Sequence, residues 1–260
     1  MANTTDHFLK HRVAIVTGGA TGIGKAIGQA LARAGAKVAV GSRSAHEYSA
    51  QANADGIDLA LGLDVTSNDS IRAFCEQVRT ALGPIDILVN SAGIMLDHPL
   101  EDHPDDLWEK TIDVNLNGIY RTIKHCLPGM KSRGWGRIIN IASTAAAVGS
   151  VDFSAYSASK AGVLGLTRCV ALEGATSGVT CNAISPGWVE TDMALDWLKA
   201  QATKENRPWE EYLRETKQQA NPQQRMIQPQ EIATLAVFLC RDETKAITME
   251  DLRVSAGTVW

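Results

Sequence analysis

One stretch near the amino terminus restricts the choice of fold more than any other. Residues 12–17, RVAIVT, are a short β-branched run, GGATGIG follows at once, and KAIGQALARAG continues with apolar residues at helical spacing until Gly35 closes it. The pattern is strand, glycine turn, helix. Gly18, Gly22 and Gly24, with Ile23 between the last two, allow a tight turn and the close approach of a ligand's pyrophosphate to bare backbone. That anion would rest on the helix amino terminus, where unpaired N–H groups and the dipole favour negative charge. A glycine cluster alone is a common loop, but a strand before it and a helix after it make it a dinucleotide signature. The spacing is G-x3-G-x-G, distinct from the commoner G-x-G-x-x-G.

The unit then repeats. KVAVGS (37–42) is a second strand, and the residues at and after its end bear on the choice between nicotinamide cofactors. An acid there would accept ribose hydroxyls, whereas this chain has Ser42, Arg43 and Ser44, with the first acid at Glu47. An arginine suits a 2′-phosphate, so NADP(H) is favoured over NAD(H). DGIDLALGLDV (55–65) predicts a third strand ending in Asp64 and Val65, and the segment from Ser67 to Gly83 a capped amphipathic helix. PIDILVN (84–90) is a fourth strand running into Asn90, Ser91, Ala92 and Gly93. Strands follow at 134–142 and 179–185, the latter leading into Pro186 and Gly187, with a helix over 105–127 that carries Asn115 in its middle. Asparagine is a poor interior helix residue, which marks either a kink or a backbone carbonyl released to hold a water. Such alternation predicts a parallel sheet with helices on both faces, and ligands beyond the carboxyl ends of the strands.

Within the segment from Tyr156 to Gly174, Tyr156 and Lys160 should emerge on one helix face, one turn apart. An unperturbed tyrosine, with a pKa near ~10, is a poor acid or base at neutral pH. An ammonium at roughly 4.5 Å, with an effective dielectric of about 20, favours the phenolate by about 3 to 4 kcal/mol. Lys160 is therefore expected to lower the Tyr156 pKa by some 2 to 3 units. Ser143, at the end of the strand RIINIA, can offer a hydroxyl to a substrate oxygen. Proton donor, charge tuner and oxygen anchor together suit carbonyl/alcohol interconversion. The pair alone would more often be a surface contact, and it gains weight from the cofactor signature.

As a set, TGGATGIG (17–24), Asp64-Val65, NSAG (90–93), Asn115, Ser143, YSASK (156–160) and PGWVET (186–191) resemble the short-chain dehydrogenase/reductase family in its compact single-domain form. The resemblance covers essentially the whole chain. It implies a Rossmann-type, doubly wound parallel sheet of about seven strands, a nicotinamide cofactor and a catalytic tetrad of Asn115, Ser143, Tyr156 and Lys160. It also implies that Lys160 holds the nicotinamide ribose, that Val189 and Thr191 hold the carboxamide, and that the chain forms a homotetramer or dimer through its two long central helices and last strand. Two departures stand out. NSAG replaces the family's NNAG, and the glycines that relatives usually carry around the last strand are Met249 and Ser255-Ala256-Gly257 here. The tail ends in Trp260, a residue suited to packing on a neighbouring subunit.

Nothing divides the 260 residues, so one domain over 1–260 is expected, with a substrate lid at about 190–226. The lid holds Met193, Leu195, Trp197, Trp209 and Tyr212 in two amphipathic pieces. It looks most like that of the family's 3-hydroxybutyrate dehydrogenases, but where those grip a carboxylate with polar and basic groups this chain has Met95, Ala145, Phe153 and Trp197. A neutral, fairly apolar ketone or secondary alcohol is the expected substrate. The alternatives are an NAD-dependent 3-hydroxybutyrate or polyol dehydrogenase and, from another class, a non-catalytic nucleotide sensor. A net charge of −4 offers no footprint for nucleic acid or anionic membrane, and no apolar run spans a bilayer. The five cysteines form no CxxC and the six histidines no HExxH, so neither a disulfide framework nor a metal is expected. A cytoplasmic location follows.

Overall fold

The structure is a computed structural model and describes residues 7–258; the expectation for Trp260 lies outside them. Seven strands form one parallel sheet in the order β3-β2-β1-β4-β5-β6-β7. They are β1 (Val13–Thr17), β2 (Lys37–Ser42), β3 (Leu59–Gly62), β4 (Ile87–Asn90), β5 (Gly136–Ile141), β6 (Val179–Pro186) and β7 (Asp251–Val254). Every residue of β1, β4, β5 and β6 is buried, as a sheet covered on both faces requires.

Alternation along each strand divides the core in two. Ala14, Val16, Ile139 and Ile184 face one way, onto α1 (Gly22–Arg33), α2 (Ala45–Ala52) and α9 (Pro229–Phe238). Val13, Ile15, Ile138 and Cys181 face the other, onto α3 (Asn68–Leu82), α5 (Gly118–Arg133) and α6 (Ser154–Gly174). Local chemistry sets the helix ends. Ser67 Oγ accepts the Ser70 N–H at the start of α3 (3.2 Å), and Gln228 and Glu231 form a capping box before α9 with Pro229 at its first position. The strand order reverses between β1 and β4, opening a crevice at their carboxyl ends.

The helix expected over 105–127 is interrupted. α4 (Asp105–Ile112) passes through a π-helical turn, Asp113–Asn117, before α5 begins. Asn115 lies within that turn, fully buried, and its side chain takes both backbone groups of Ile94 at 2.9 Å. A residue whose amide must reach a neighbouring loop forces the extra residue into the helix. The third strand, expected to start at residue 55, is confined to Leu59–Gly62 because Gly56 takes a left-handed turn and Asp58 caps the Val38 N–H from outside the ladder (2.7 Å).

Between Pro186 and α9 an insert folds into α7 (Asp192–Lys204) and α8 (Trp209–Ala220). It has its own small apolar cluster of Ala194, Leu198 and Met226, with Trp188, Trp197, Trp209 and Tyr212 packed around it. Among the described residues no helix is long and apolar enough to cross a membrane, and all five cysteines are free.

The departures around β7 leave a backbone still shaped for glycine. Met249 has φ 71° and Ala256 φ 53°. A left-handed residue with a Cβ costs about 1–2 kcal/mol, while glycine adds about 0.4–1 kcal/mol of unfolded-state entropy. Met249 is 43% exposed, so replacing it gives up only part of a full side-chain burial. Met249→Gly is expected to stabilise the protein by about 0.5–1 kcal/mol, read as a rise of roughly 1–4 °C in melting temperature. An unchanged or lower Tm would show that the methionine side chain outweighs the strain.

Candidate active site

The glycine turn occupies the crevice. Gly18 has φ 66°, and a Cβ there would meet the Ala92 backbone at 2.8 Å; one on Gly24 would lie 2.3 Å from the Gly18 carbonyl oxygen. Only bare backbone fits. Thr21 precedes α1 without capping it through its side chain, and the first turn holds no acid, so the helix presents its N–H groups to the crevice. Thr17 Oγ1 at the end of β1 accepts the N–H groups of Ser91 (3.2 Å) and Ala92 (3.1 Å), which fastens the β4 turn beside the glycine turn. This cradle fits a pyrophosphate.

Two recesses flank it. The first, of about 310 Å³, is lined by Gly18, Gly22, Ile23, Gly24, Ala92, Gly93, Ser143, Tyr156, Lys160, Pro186, Gly187, Val189 and Thr191 among others. The second, an open cleft, is lined by Ser42, Arg43, Asp64 and Val65 together with Gly18, Ala92 and Gly93. The sequence-predicted residues are thus brought to one crevice, with two exceptions. Asn90 does not line it: the side chain is buried, donating to Asn140 Oδ1 (2.8 Å) and accepting from Thr122 Oγ1 (2.6 Å), and so ties β4 to β5 and α5. Asn115 also stands behind the wall, holding Ile94 and donating to Ser159 Oγ (3.2 Å).

Tyr156 and Lys160 share one face of α6, with the ammonium 5.7 Å from the phenol ring centre. Lys160 Nζ donates to the Ile141 carbonyl at 2.8 Å. Ser143 Oγ accepts the Ala145 N–H (3.1 Å), and its hydroxyl, within reach of Tyr156, favours the phenolate. Burial is the larger effect, and it raises the Tyr156 pKa and lowers that of Lys160 to about 8. The expected depression of the phenol by its lysine is therefore corrected. Both groups lose solvent, which penalises both charges, and the ammonium spends a hydrogen bond on the backbone. Neutral phenol beside a lysine still mostly charged at neutral pH is the state the site holds.

Asp64 is held ionised, first by the Thr66 N–H (2.9 Å) and Thr66 hydroxyl (2.7 Å), and also by the charges of Arg43 and Arg121. Arg43 is exposed on the cleft and makes no hydrogen bond or ion pair at contact distance among the described residues, which leaves its fork open for an anion.

Beyond Tyr156 the smaller recess turns apolar: Ile94, Met95, Ala145, Val148, Phe153, Trp188 and Met193 line it. Of the four positions compared with the carboxylate-gripping relatives, three face the recess. Trp197 does not. It lies behind, stacked on Trp188 (centroids 5.5 Å, 29°) and tilted against Phe153 (5.6 Å, 56°), and its Nε1 donates to Asp97 Oδ1 (2.9 Å). Trp188 and Asp192, both on the lining, are missed by the sequence reading; Trp188 lies just past the end of β6, where other strands place site residues. Among the described residues of the lining, Lys160 is the one base and Asp192 the one acid.

Comparison with known proteins identifies the family. A sequence model of the short chain dehydrogenase family matches residues 12–202. The D-beta-hydroxybutyrate dehydrogenase of Cupriavidus necator is 39% identical over 256 residues, covering 97% of this chain and 96% of that protein. A 3-oxoacyl-[acyl-carrier-protein] reductase of Vibrio harveyi is 39% identical over 254 residues, covering 96% and 98%. Among solved structures, a point variant of actinorhodin polyketide ketoreductase crystallised with NADPH superimposes with a TM-score of 0.90 at 35% identity, over 95% of this chain and 98% of that one.

Proposed function

Since the chain belongs to the short chain dehydrogenase family, we propose that it is an NADP(H)-dependent reductase of neutral, apolar ketones, working through Tyr156, Ser143 and Lys160. The observation that carries this reading is the juxtaposition, across one recess, of the Tyr156 phenol and the Ser143 hydroxyl with a backbone cradle for a dinucleotide. The glycine turn and the α1 amino terminus would hold the pyrophosphate, Arg43 and Ser42 a 2′-phosphate, Asp64 and Val65 the adenine, Lys160 the nicotinamide ribose, and Val189 and Thr191 the carboxamide. Bound there, the nicotinamide supplies the hydride.

The chain's own part is proton chemistry. Ser143 and Tyr156 both donate to the ketone oxygen, which fixes the carbonyl and polarises it. As negative charge grows on that oxygen, Tyr156 transfers its proton and becomes a phenolate. The Lys160 ammonium and the Ser143 hydroxyl then stabilise that phenolate. Asn115 holds the π-helical turn beside Lys160, where a water on its carbonyl would return the proton. The phenol, whose pKa burial raises, enters the reaction protonated at neutral pH and can give its proton to the ketone oxygen.

An apolar wall with Asp192 at its edge, and no basic residue besides Lys160, disfavours a carboxylate substrate. The runner-up reading, a 3-hydroxybutyrate dehydrogenase, has the similarity of the Cupriavidus necator enzyme in its favour. A steady-state panel separates them: uncharged ketones should outrun short 3-oxo acids, and the reverse order would select the dehydrogenase. For the cofactor, losing an arginine contact to a phosphate costs about 1.5–3 kcal/mol. Arg43→Ala is expected to raise KM for NADPH about 10- to 100-fold and leave KM for NADH within about twofold. Equal losses with both cofactors would refute the assignment of Arg43.

We expect a homo-oligomer, as the family resemblance implies.

A further inference from the structure

The insert touches the rest of the protein at few polar points, and one of them reaches the substrate recess through a chain of aromatic rings. Asp97 lies on the loop after β4. That loop is fixed at both ends, at Ile94 by the two bonds from Asn115 and at His98, whose N–H donates to the Asp152 carbonyl at 2.8 Å. From this anchored loop the Asp97 carboxylate takes Trp197 Nε1 (2.9 Å) and, more loosely, Gln201 Nε2 (3.4 Å), both on α7. Trp197 supports Trp188 on one side and Phe153 on the other, and Phe153 meets the Tyr156 ring edge-on at 6.2 Å. Asp97 touches neither the recess nor the cofactor cleft. Past its first turn, which lines the recess, α7 packs into the insert's own apolar cluster.

We propose that Asp97 is a positioning residue for the substrate recess: it latches α7 and thereby sets the aromatic wall of Trp188 and Phe153 against which an apolar ketone is held. This rests on the ketone-reductase reading for its kinetic consequence, but not for the latch itself. A carboxylate accepting two N–H groups from one helix face makes the wall a single unit with the fixed loop. Asparagine at position 97 keeps an oxygen for Trp197 Nε1, whereas alanine does not. Phenylalanine at position 197 keeps a ring in the stack but loses the donor.

The test uses the full-length protein as Asp97→Ala, Trp197→Phe and Asp97→Asn. For a bulky apolar ketone, the first two are expected to raise KM about tenfold with kcat within about twofold, while Asp97→Asn stays near wild type. A small ketone that cannot reach the wall should show no change in KM. In parallel, limited trypsin cleavage at Lys199 and Lys204 on α7 should speed up about tenfold in Asp97→Ala and Trp197→Phe but not in Asp97→Asn. Wild-type cleavage rates in Asp97→Ala and Trp197→Phe would overturn the proposal, as would Asp97→Asn behaving like Asp97→Ala, or a loss in kcat that is the same for small and bulky ketones. If the wild type reduces no ketone at all, the functional reading fails, and the cleavage comparison alone decides the latch.

Discussion

Tyr156→Phe is expected to lower kcat for ketone reduction by about a thousandfold while leaving the affinity for NADPH within about twofold. The substitution removes one oxygen and keeps the ring that Phe153 packs against. In the proposed mechanism the phenol gives the ketone oxygen a full proton, because Ser143 can only share its own and Lys160 is turned to the Ile141 carbonyl. Steady-state kcat beside a fluorescence titration of NADPH measures both halves of the expectation. Turnover above about a tenth of wild type would move the proton donor elsewhere, and a matching loss of cofactor affinity would reduce Tyr156 to a binding residue.

Lys160→Met is expected to act in opposite directions on activity and stability. Turnover should fall at least about a hundredfold, since the phenolate formed in the reaction loses its counter-charge. Stability at neutral pH should rise. Lys160 is buried, and burial lowers its pKa from 10.5 to about 8 in the folded protein. The native state therefore holds fewer protons than the unfolded chain between those values, and stability rises with pH across that window. Below about pH 8 the full penalty of the buried charge applies, about 3 kcal/mol. Methionine fills a similar volume without charge but leaves the Ile141 carbonyl without its donor, which costs about 1 kcal/mol. The net gain near pH 7 is about 2 kcal/mol, or roughly 4–8 °C in Tm, and it should shrink as pH rises from 8 toward 10.5. A variant less stable than wild type at pH 7, or a gain independent of pH, would show that the ammonium is better solvated than its surroundings suggest. Such a trade places a destabilising group where the chemistry needs it.

The sheet was legible in the sequence because its strands are buried on both faces and read as near-continuous apolar runs rich in β-branched residues, as VAIVT and ILVN do. Locating such runs along the chain needs no tertiary information. The crevice was legible for a related reason: a parallel sheet sends every strand's carboxyl end to one edge, so Gly18, Ser42, Asp64 and Gly93 gather there. What the sequence hid depends on three dimensions. Asn115 signalled a helix defect but not that its amide would grip Ile94, because that bond joins residues 21 apart. Asn90 was read as part of the cofactor site from its place at a strand end, yet its partners, Asn140 and Thr122, lie on other elements and draw it inward. Trp197 read as a recess residue by position. The carboxylate that turns it away, Asp97, lies 100 residues earlier, and no spacing rule links them. Tyr156 and Lys160 share one helix face, as their spacing predicts, but the expected balance of charge effects is not what the site holds. Helical spacing gives the separation of two charges but not the solvent each has lost, and here desolvation is the largest influence on both.

In the proposed reaction a hydride passes to a ketone carbon in this recess as Tyr156 protonates the oxygen. The most direct measurement is a single-turnover reaction with NADPH deuterated at the transferable position of the nicotinamide and an uncharged apolar ketone, followed by mass analysis and NMR of the product. The account expects the alcohol with deuterium on its carbinol carbon from the wild type and, in the same time, almost none from Tyr156→Phe. Alcohol without the label, or labelled alcohol formed equally fast without the phenol, would contradict it.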